Sequence, residues 1–173
     1  MGVENIEGLQ YCKNLQELNL QNNSISDISP LTTLTNLEQL YLRDNMISDI
    51  FPLSNLTDLK YLDLGGNEIS DISPLGELSN LWVLNLQRNN IIDIDSLKKL
   101  NKIGDHNWNW IKIDLDIAHN QISDIFPLIK NSGVNNGDRI DISKNPLNSN
   151  SINNYIPELK NRDVEVIWSS PFS

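Results

Sequence analysis

The sequence predicts an α/β solenoid: a curved right-handed arc with a parallel sheet on its concave face and short helical segments on its convex face. Two observations carry this prediction. A pattern of 22 residues recurs along the chain. Within each copy, apolar residues first alternate with variable ones, as in a strand with one buried face, and a helix-start signal follows. One short strand cannot bury its leucines alone, so the copies must stack.

Four copies of the pattern stand in register between residues 15 and 100, and two looser copies follow after insertions of 9 and 3 residues. One asparagine marks the same place in every copy. These markers are Asn23, Asn45, Asn67, Asn89, Asn120 and Asn145. A side-chain amide both donates and accepts hydrogen bonds, so a fixed asparagine can satisfy the backbone of neighbouring turns without any ligand.

The remaining columns of the repeat predict turns. Ser29-Pro30 is typical of a helix start, with proline at the first helical position. An aspartate recurs two residues before this point, as in Asp27. Calcium binding is one explanation for such a column, but an Asx turn to the local backbone is the one we favour.

We expect a single domain over residues 1–173. It divides into a partial first repeat (1–14), regular repeats (15–100), an insertion (101–113), irregular repeats (114–147) and a C-terminal cap (148–168). The chain opens in mid-repeat, which we interpret as a domain cut from a longer protein. Cys12 then falls at a leucine position, where we expect it to be buried. The cap should hold a helix with Ile152, Ile156 and Leu159 on one face, which Pro157 opposes unless the helix restarts there, and a last strand over 164–168.

Composition excludes several functions. The chain has 23 acidic and 13 basic residues and a net charge of −10, which argues against nucleic acid and against an anionic membrane surface. No apolar run approaches the roughly 20 residues of a membrane span. A single cysteine and two unrelated histidines match no metal site, and no catalytic motif is present. We therefore expect a monomer that is not an enzyme and holds neither cofactor nor metal.

These residues resemble the 22-residue class of leucine-rich repeats. The stretch NxISDISPLxxLxxLxxLxL, from Asn23 to Leu42, is similar to the repeats of bacterial internalin-type surface proteins. The resemblance implies a module that binds a protein, or a glycan, on its concave face, at the cell surface or after secretion. Two alternatives stay open: a structural spacer, and a cytoplasmic regulatory subunit like the phosphatase-binding repeats. The cap resembles the closing segment of such proteins, although Asp163 stands where glycine is usual.

The variable residues between the ladder leucines should form the binding surface. We expect Tyr41, Arg43, Tyr61 and Val83 to be exposed together at its centre, since tyrosine and arginine are frequent hot spots. The full predicted set is Tyr41, Arg43, Tyr61, Asp63, Val83, Asn85, Asp114, Asp116 and Arg139. The aspartates either attract a basic partner or form a solvated surface. Asp114 and Asp116 are not expected to be catalytic, since an open, wet sheet should not perturb their pKa values.

The insertion places Trp108 and Trp110 close together, and Trp82 stands in a column that otherwise holds polar residues. We expect the insertion to fold over the rim, with Trp82 in contact with one inserted tryptophan. Under the alternative, the other tryptophan stays exposed and extends the binding surface.

Overall fold

The structure, a computed structural model, describes residues 2–169. Its centre is one sheet of seven parallel strands in sequence order. The strands are β1 (Glu17–Asn19), β2 (Gln39–Tyr41), β3 (Tyr61–Asp63), β4 (Val83–Asn85), β5 (Leu115–Asp116), β6 (Arg139–Asp141) and β7 (Glu165–Ile167). Because each strand pairs with the next one along the chain, every repeat adds one strand to the same edge. The predicted solenoid is confirmed.

Short helical turns return the chain on the side opposite the sheet. The 3-10 turns cover Leu9–Tyr11, Ser29–Thr33, Phe51–Leu53, Ser73–Glu77 and Asp95–Lys99. Two α-helices follow, α1 (Phe126–Lys130) and α2 (Ile156–Asn161). The Ser29–Thr33 turn has proline within its first two positions, as its sequence indicated. Among residues 2–169, no helix has the length and apolar character that a membrane crossing requires.

The aspartate column forms Asx turns. Asp27 Oδ1 accepts the Ser29 N–H at 2.8 Å, and Asp49, Asp71, Asp93 and Asp124 make the equivalent contact. The hydrogen bond from Ser29 lowers the pKa of Asp27 below its usual value. The aspartates therefore fix the entry to each helical turn, as we expected.

The core is a continuous stack of leucine and isoleucine between the sheet and the turns. Leu40, Leu62 and Leu84 lie side by side in register and are fully buried. The same cluster extends from Ile6 to Val164. Each repeat thus buries its leucines only against its neighbours, which is why the fold depends on accurate stacking.

The marker asparagines tie the repeats together. Asn67 Oδ1 accepts the Ile47 N–H at 3.0 Å, while its Nδ2 donates to Leu42 O at 3.1 Å and to Leu64 O at 3.0 Å. Two of these three groups belong to the preceding repeat. The same set of bonds recurs at Asn45, Asn89, Asn120 and Asn145. The predicted column is confirmed.

The residue before each marker asparagine has a left-handed backbone, a feature that our sequence analysis missed. These residues are Asn22, Asp44, Gly66, Arg88, His119 and Lys144, with φ between 52° and 66°. Asparagine, aspartate and glycine adopt this conformation readily, but arginine, histidine and lysine do so at a cost of about 1–2 kcal/mol. The turn out of the strand therefore requires the conformation even where the residue type opposes it.

One expectation about the first repeat is wrong: Cys12 is exposed, not buried. Its backbone repeats the geometry of Leu34, since both end a 3-10 turn with nearly the same φ and ψ. Leu34 is fully buried, whereas Cys12 lies in the outermost turn of the described residues and is covered on one side at most. The equivalent position is buried only where repeats pack on both sides.

The predicted C-terminal helix is present and continues through Pro157. A π-helical turn over Ser151–Tyr155 leads directly into α2, with proline in its first turn, and α2 buries Ile156 and Leu159. Asp163 then takes a left-handed φ of 60°, which explains why glycine is usual there. The helix and β7 lie in the predicted cap, while the boundaries drawn between cap, insertion and repeats stay a prediction.

We predict that Asn67→Ala lowers the free energy of unfolding by about 3 kcal/mol or more, because buried backbone groups that lose their partner cost about 1–3 kcal/mol each. Urea denaturation followed by circular dichroism measures this. Asn55, an exposed asparagine of the neighbouring convex turn, is the control, and Asn55→Ala should change stability by less than about 0.5 kcal/mol. Equal effects of the two substitutions would show that the ladder does not hold the repeats together.

Candidate functional site

Strand register brings the variable residues to one face in parallel rows. One row runs Glu17, Gln39, Tyr61, Val83, and the next runs Asn19, Tyr41, Asp63, Asn85, Asp116, Asp141. This is the face on which we placed the binding residues. The side chains on it are neighbours across strands, so a partner would contact several repeats at once.

Five aromatic side chains form a connected ridge across this face. Tyr41 and Tyr61 lie 4.8 Å apart between ring centroids, and Tyr61 is 5.8 Å from Trp110. Trp110 stacks on Trp108 at 5.7 Å with an interplanar angle of 16°. Trp108 meets Trp82 edge-on at 5.3 Å. We call these residues the aromatic ridge: it starts on β2 and β3, runs through the insertion and ends at Trp82, just before β4.

The contact between Trp82 and Trp108 confirms that an inserted tryptophan packs on Trp82. The other inserted tryptophan, Trp110, remains 58% exposed although it touches two rings. Lys60 Nζ lies 5.5 Å from the Trp82 ring centroid and pairs with Glu38 Oε2 at 2.6 Å. At Trp82, the aromatic ridge is therefore packed and lies beside charged side chains, whereas Trp110 is open to solvent.

A buried histidine anchors the insertion. His106 Nδ1 accepts the Trp108 N–H at 3.2 Å, and its Nε2 is in hydrogen-bond contact with Asp114 Oδ1 at 2.8 Å. Asp114 Oδ2 accepts the Arg139 N–H at 2.6 Å. The His106 ring also stacks on Trp108 at 5.5 Å. Nothing in the sequence spacing connects His106 with Asp114, so this role of His106 is visible only in the structure.

Asp114 therefore has a different role from the one we predicted. Both of its oxygens are engaged by the insertion and by β6, and its side chain is only 10% exposed. It positions Trp108 through His106 and is not available to a partner. Arg139 is also engaged, since its Nη2 donates to Glu165 Oε1 at 2.9 Å.

The insertion also packs on the loop before β6. Gly104 has a φ of +82°, and a Cβ atom at this position would collide with the carboxylate of Asp138. Burial raises the pKa of Asp138 to about 6. Between this loop and the insertion lies a cleft of about 380 Å³, lined among others by His106 and Trp108. Because a side chain at position 104 would collide with Asp138, glycine is required where the insertion meets the solenoid.

Val83 is not part of an exposed centre, contrary to our expectation: it is only 3% exposed. Its register partner is Tyr61, which contacts Trp110, so the insertion crosses the face at this place. Tyr41, Arg43 and Tyr61 are half-buried. Trp110 takes the central exposed place that we assigned to Val83.

The carboxylates on the face are more buried than an open sheet implies. Asp116 is 9% exposed, and its Oδ1 accepts the Ala118 N–H at 3.1 Å. Burial, and next to it the charge of Asp141, raises the pKa of Asp116 to about 6. Burial also raises the pKa of Asp63. The premise that such a sheet leaves carboxyl pKa values unperturbed is therefore wrong.

The other predicted residues have local contacts. Arg43 Nε pairs with Asp44 Oδ2 at 3.3 Å, and Asn85 Oδ1 accepts the Gln87 N–H at 3.0 Å. Burial, and after it the charge of Asp63, raises the pKa of Tyr61 to about 12, so its hydroxyl is protonated at neutral pH. Within residues 2–169, no group of three or more His, Cys, Asp or Glu side chains is placed to hold a metal ion.

We predict that Asp116→Asn stabilises the protein at about pH 7.5, by about 1–2 kcal/mol. A carboxyl whose pKa is raised on folding binds its proton more tightly in the folded state. Its contribution to stability is therefore complete only below its ordinary pKa of 3.8 and is lost as the pH rises through about 6. The asparagine should keep the hydrogen bond to Ala118 but remove the charge. Urea denaturation at several pH values measures the difference, which should vanish below about pH 3.8.

Asp71→Asn is the control, because the pKa of Asp71 is shifted in the opposite direction. The hydrogen bond from Ser73 lowers the pKa of Asp71, so its charged form favours the folded state. This substitution should give no gain at about pH 7.5. If Asp116→Asn were destabilising at this pH, its carboxylate would have a favourable charge contact within the protein.

The chain matches known proteins in sequence profile and in structure. The family of leucine-rich repeats (2 copies) matches residues 13–55 and 35–77. A search of curated protein sequences returned no significant match. The ectodomain of the Arabidopsis thaliana receptor kinase GASSHO1/SCHENGEN3, solved with CASPARIAN STRIP INTEGRITY FACTOR 2, is 24% identical. It has a TM-score of 0.66 over 82% of this chain and 17% of the receptor, which shows a shared fold.

Two solved structures from Listeria monocytogenes are similar over almost the whole chain. Internalin C2 is 26% identical with a TM-score of 0.70, covering 98% of this chain and 77% of the internalin. The internalin inlF is 27% identical with the same TM-score, and the chain spans 52% of its length. Leucine-rich repeats are typically recognition modules that present an extended concave surface. The chain therefore has a leucine-rich-repeat fold that is similar to those of the two internalins.

Proposed function

We propose that this domain recognises a protein partner on its concave face, through the aromatic ridge. The observation that carries the proposal is Trp110, which is 58% exposed at the centre of the face. An exposed tryptophan in an aromatic patch is a liability for a protein without a partner. Tryptophan and tyrosine are also the side chains that most often dominate binding energy.

The side chains of the aromatic ridge are preorganised for binding by their packing in the free domain. Trp110 lies between Tyr61 and Trp108, and Trp108 is held by His106. Ordering a free side chain on association costs about 0.5–1.5 kcal/mol. Because packing in the free domain already orients these rings, that cost is reduced for a partner.

The size of the face favours a protein over a glycan. Seven strands at about 4.8 Å spacing give a sheet about 30 Å wide, so a protein partner can contact several repeats at once. A glycan would occupy the ridge alone. Within the predicted set, Tyr41, Tyr61 and Trp110 are then contacts, while Asp114, Trp82 and Trp108 support them.

The setting we propose is the surface, or the secreted fraction, of a bacterium, with the domain acting as a monomer and without catalysis. The likeness to two Listeria internalins supports it. A cytoplasmic regulatory subunit and a structural spacer are the alternatives. A spacer would need no interaction through the aromatic ridge. The ridge variants described below therefore distinguish a spacer from a recognition module.

We predict that Tyr41→Ala/Tyr61→Ala, and separately Trp110→Ala, weaken partner binding by about 2 kcal/mol or more, if these rings are hot spots. Affinity capture with in-cell cross-linking identifies proteins that bind the wild-type domain, and titration calorimetry then gives each affinity. Phe51→Ala is the control, because Phe51 is an exposed aromatic residue, 70% accessible, on the convex side.

A true partner binds the wild type and the Phe51→Ala variant equally and both ridge variants weakly. Thermal unfolding should change little in the Trp110→Ala variant, since that side chain is largely exposed. Partners that bind all variants alike would refute the proposal, as would loss of binding explained by unfolding. Loss of binding after enzymatic deglycosylation of the partner would favour a glycan.

A further inference from the structure

The residues at the ends of the strands form a row with a structural role. This role requires a side-chain oxygen that accepts a hydrogen bond, but it does not require a charge. In five strands, this residue accepts the backbone N–H two positions later at 2.8–3.1 Å. The five residues are Asn19, Asp63, Asn85, Asp116 and Asp141. Because asparagine makes the same contact on β1 and β4, the fold itself does not need the carboxylates of the other three strands.

The charges in this row are unfavourable for the isolated domain. Asp116 and Asp141 are register partners on adjacent strands, and like charges directly opposite each other are destabilising. Asp63 and Asp141 both raise the pKa of Asp116, so the three carboxylates lie within range of one another's charge. None of the ion pairs within residues 2–169 involves any of the three.

The cations on the same face have carboxylates of their own. Arg43 pairs with Asp44 at 3.3 Å, and Arg139 pairs with Glu165 at 2.7 Å. Arg43 is near enough to lower the pKa of Asp116 but is not in ion-pair contact with it. The row of three carboxylates thus retains an excess of negative charge, in a chain whose net charge is −10.

We propose that this row, beside the aromatic ridge, receives an arginine or lysine side chain from a basic segment of the protein partner. This inference rests on the proposed function and adds the chemistry of the partner. Asp116 and Asp141 supply paired carboxylates, which suit the planar fork of a guanidinium. Tyr61 and Trp110 offer aromatic faces near Asp63, where the stem or the cation of a second basic residue can stack. Charge complementarity therefore selects a basic segment, and an acidic one would be repelled.

The test uses a capped heptapeptide in which three arginines alternate with glycine, titrated into the ¹⁵N-labelled domain. We expect saturable shifts at the backbone amides of Ala118 and Ser143 and at the indole N–H of Trp110. Asp116→Asn/Asp141→Asn should weaken binding by about tenfold or more, since it removes charges but keeps the hydrogen-bonding atoms. A peptide with glutamate in place of arginine should cause no saturable shift.

The matched control is Asp49→Asn/Asp71→Asn, which removes the same net charge from exposed turns where aspartate also accepts an N–H two positions later. It should change affinity by less than about twofold. Equal weakening by both double variants would overturn the proposal, because the attraction would then be one of total charge.

Trp110→Ala separates this proposal from the proposed function. If partner binding requires Trp110 but is unaffected by Asp116→Asn/Asp141→Asn, the cation site is wrong and concave-face recognition stands. If a partner binds all of these variants equally, both proposals fail. Thermal unfolding of the Asp116→Asn/Asp141→Asn variant, expected to be at least as stable as the wild type, excludes misfolding as the cause of any loss.

Discussion

The side-chain amide of the marker asparagine is the contact on which the rest of the structure depends. Asn67 satisfies backbone groups of its own repeat and of the one before it, so it fixes the distance and the register between them. A strand of three residues cannot bury its leucines otherwise. The left-handed residue before each marker follows from this contact, since the chain must turn sharply to bring the amide inward, even at Arg88 and His119.

The candidate site arises where this regularity is interrupted. After the fourth regular repeat, the chain leaves the stack and returns across the concave face, which brings Trp110 to Tyr61. Ile103 ties the start of this path to the core, and polar contacts hold the rest: His106 joins Trp108 to Asp114, and Gly104 lets the chain pass close to Asp138. The sheet of the solenoid supports the insertion, and the insertion adds the aromatic surface that a purely periodic chain would lack.

The strand-end row shows how one position can serve both fold and recognition. Asn85 and Asp116 make the same hydrogen bond to the backbone, so a change between them leaves the turn intact and alters only the charge of the face. Burial makes this charge costly, as the raised pKa of Asp116 shows. Recognition chemistry can therefore vary along the row within the limits that the stability of the stack allows.

The sequence by itself determined the strands, the asparagine column and the Asx turns, because a fixed period repeats each local environment. The packing of Trp82 on an inserted tryptophan was predictable for another reason, since Trp82 departs from a column that otherwise holds polar residues. Only the tertiary structure decided that Val83 is buried, that Cys12 is exposed and that His106 holds Asp114. These features depend on the path of a non-repeating segment and on what covers each side of a turn. Both are set by contacts between distant residues, which no local pattern encodes.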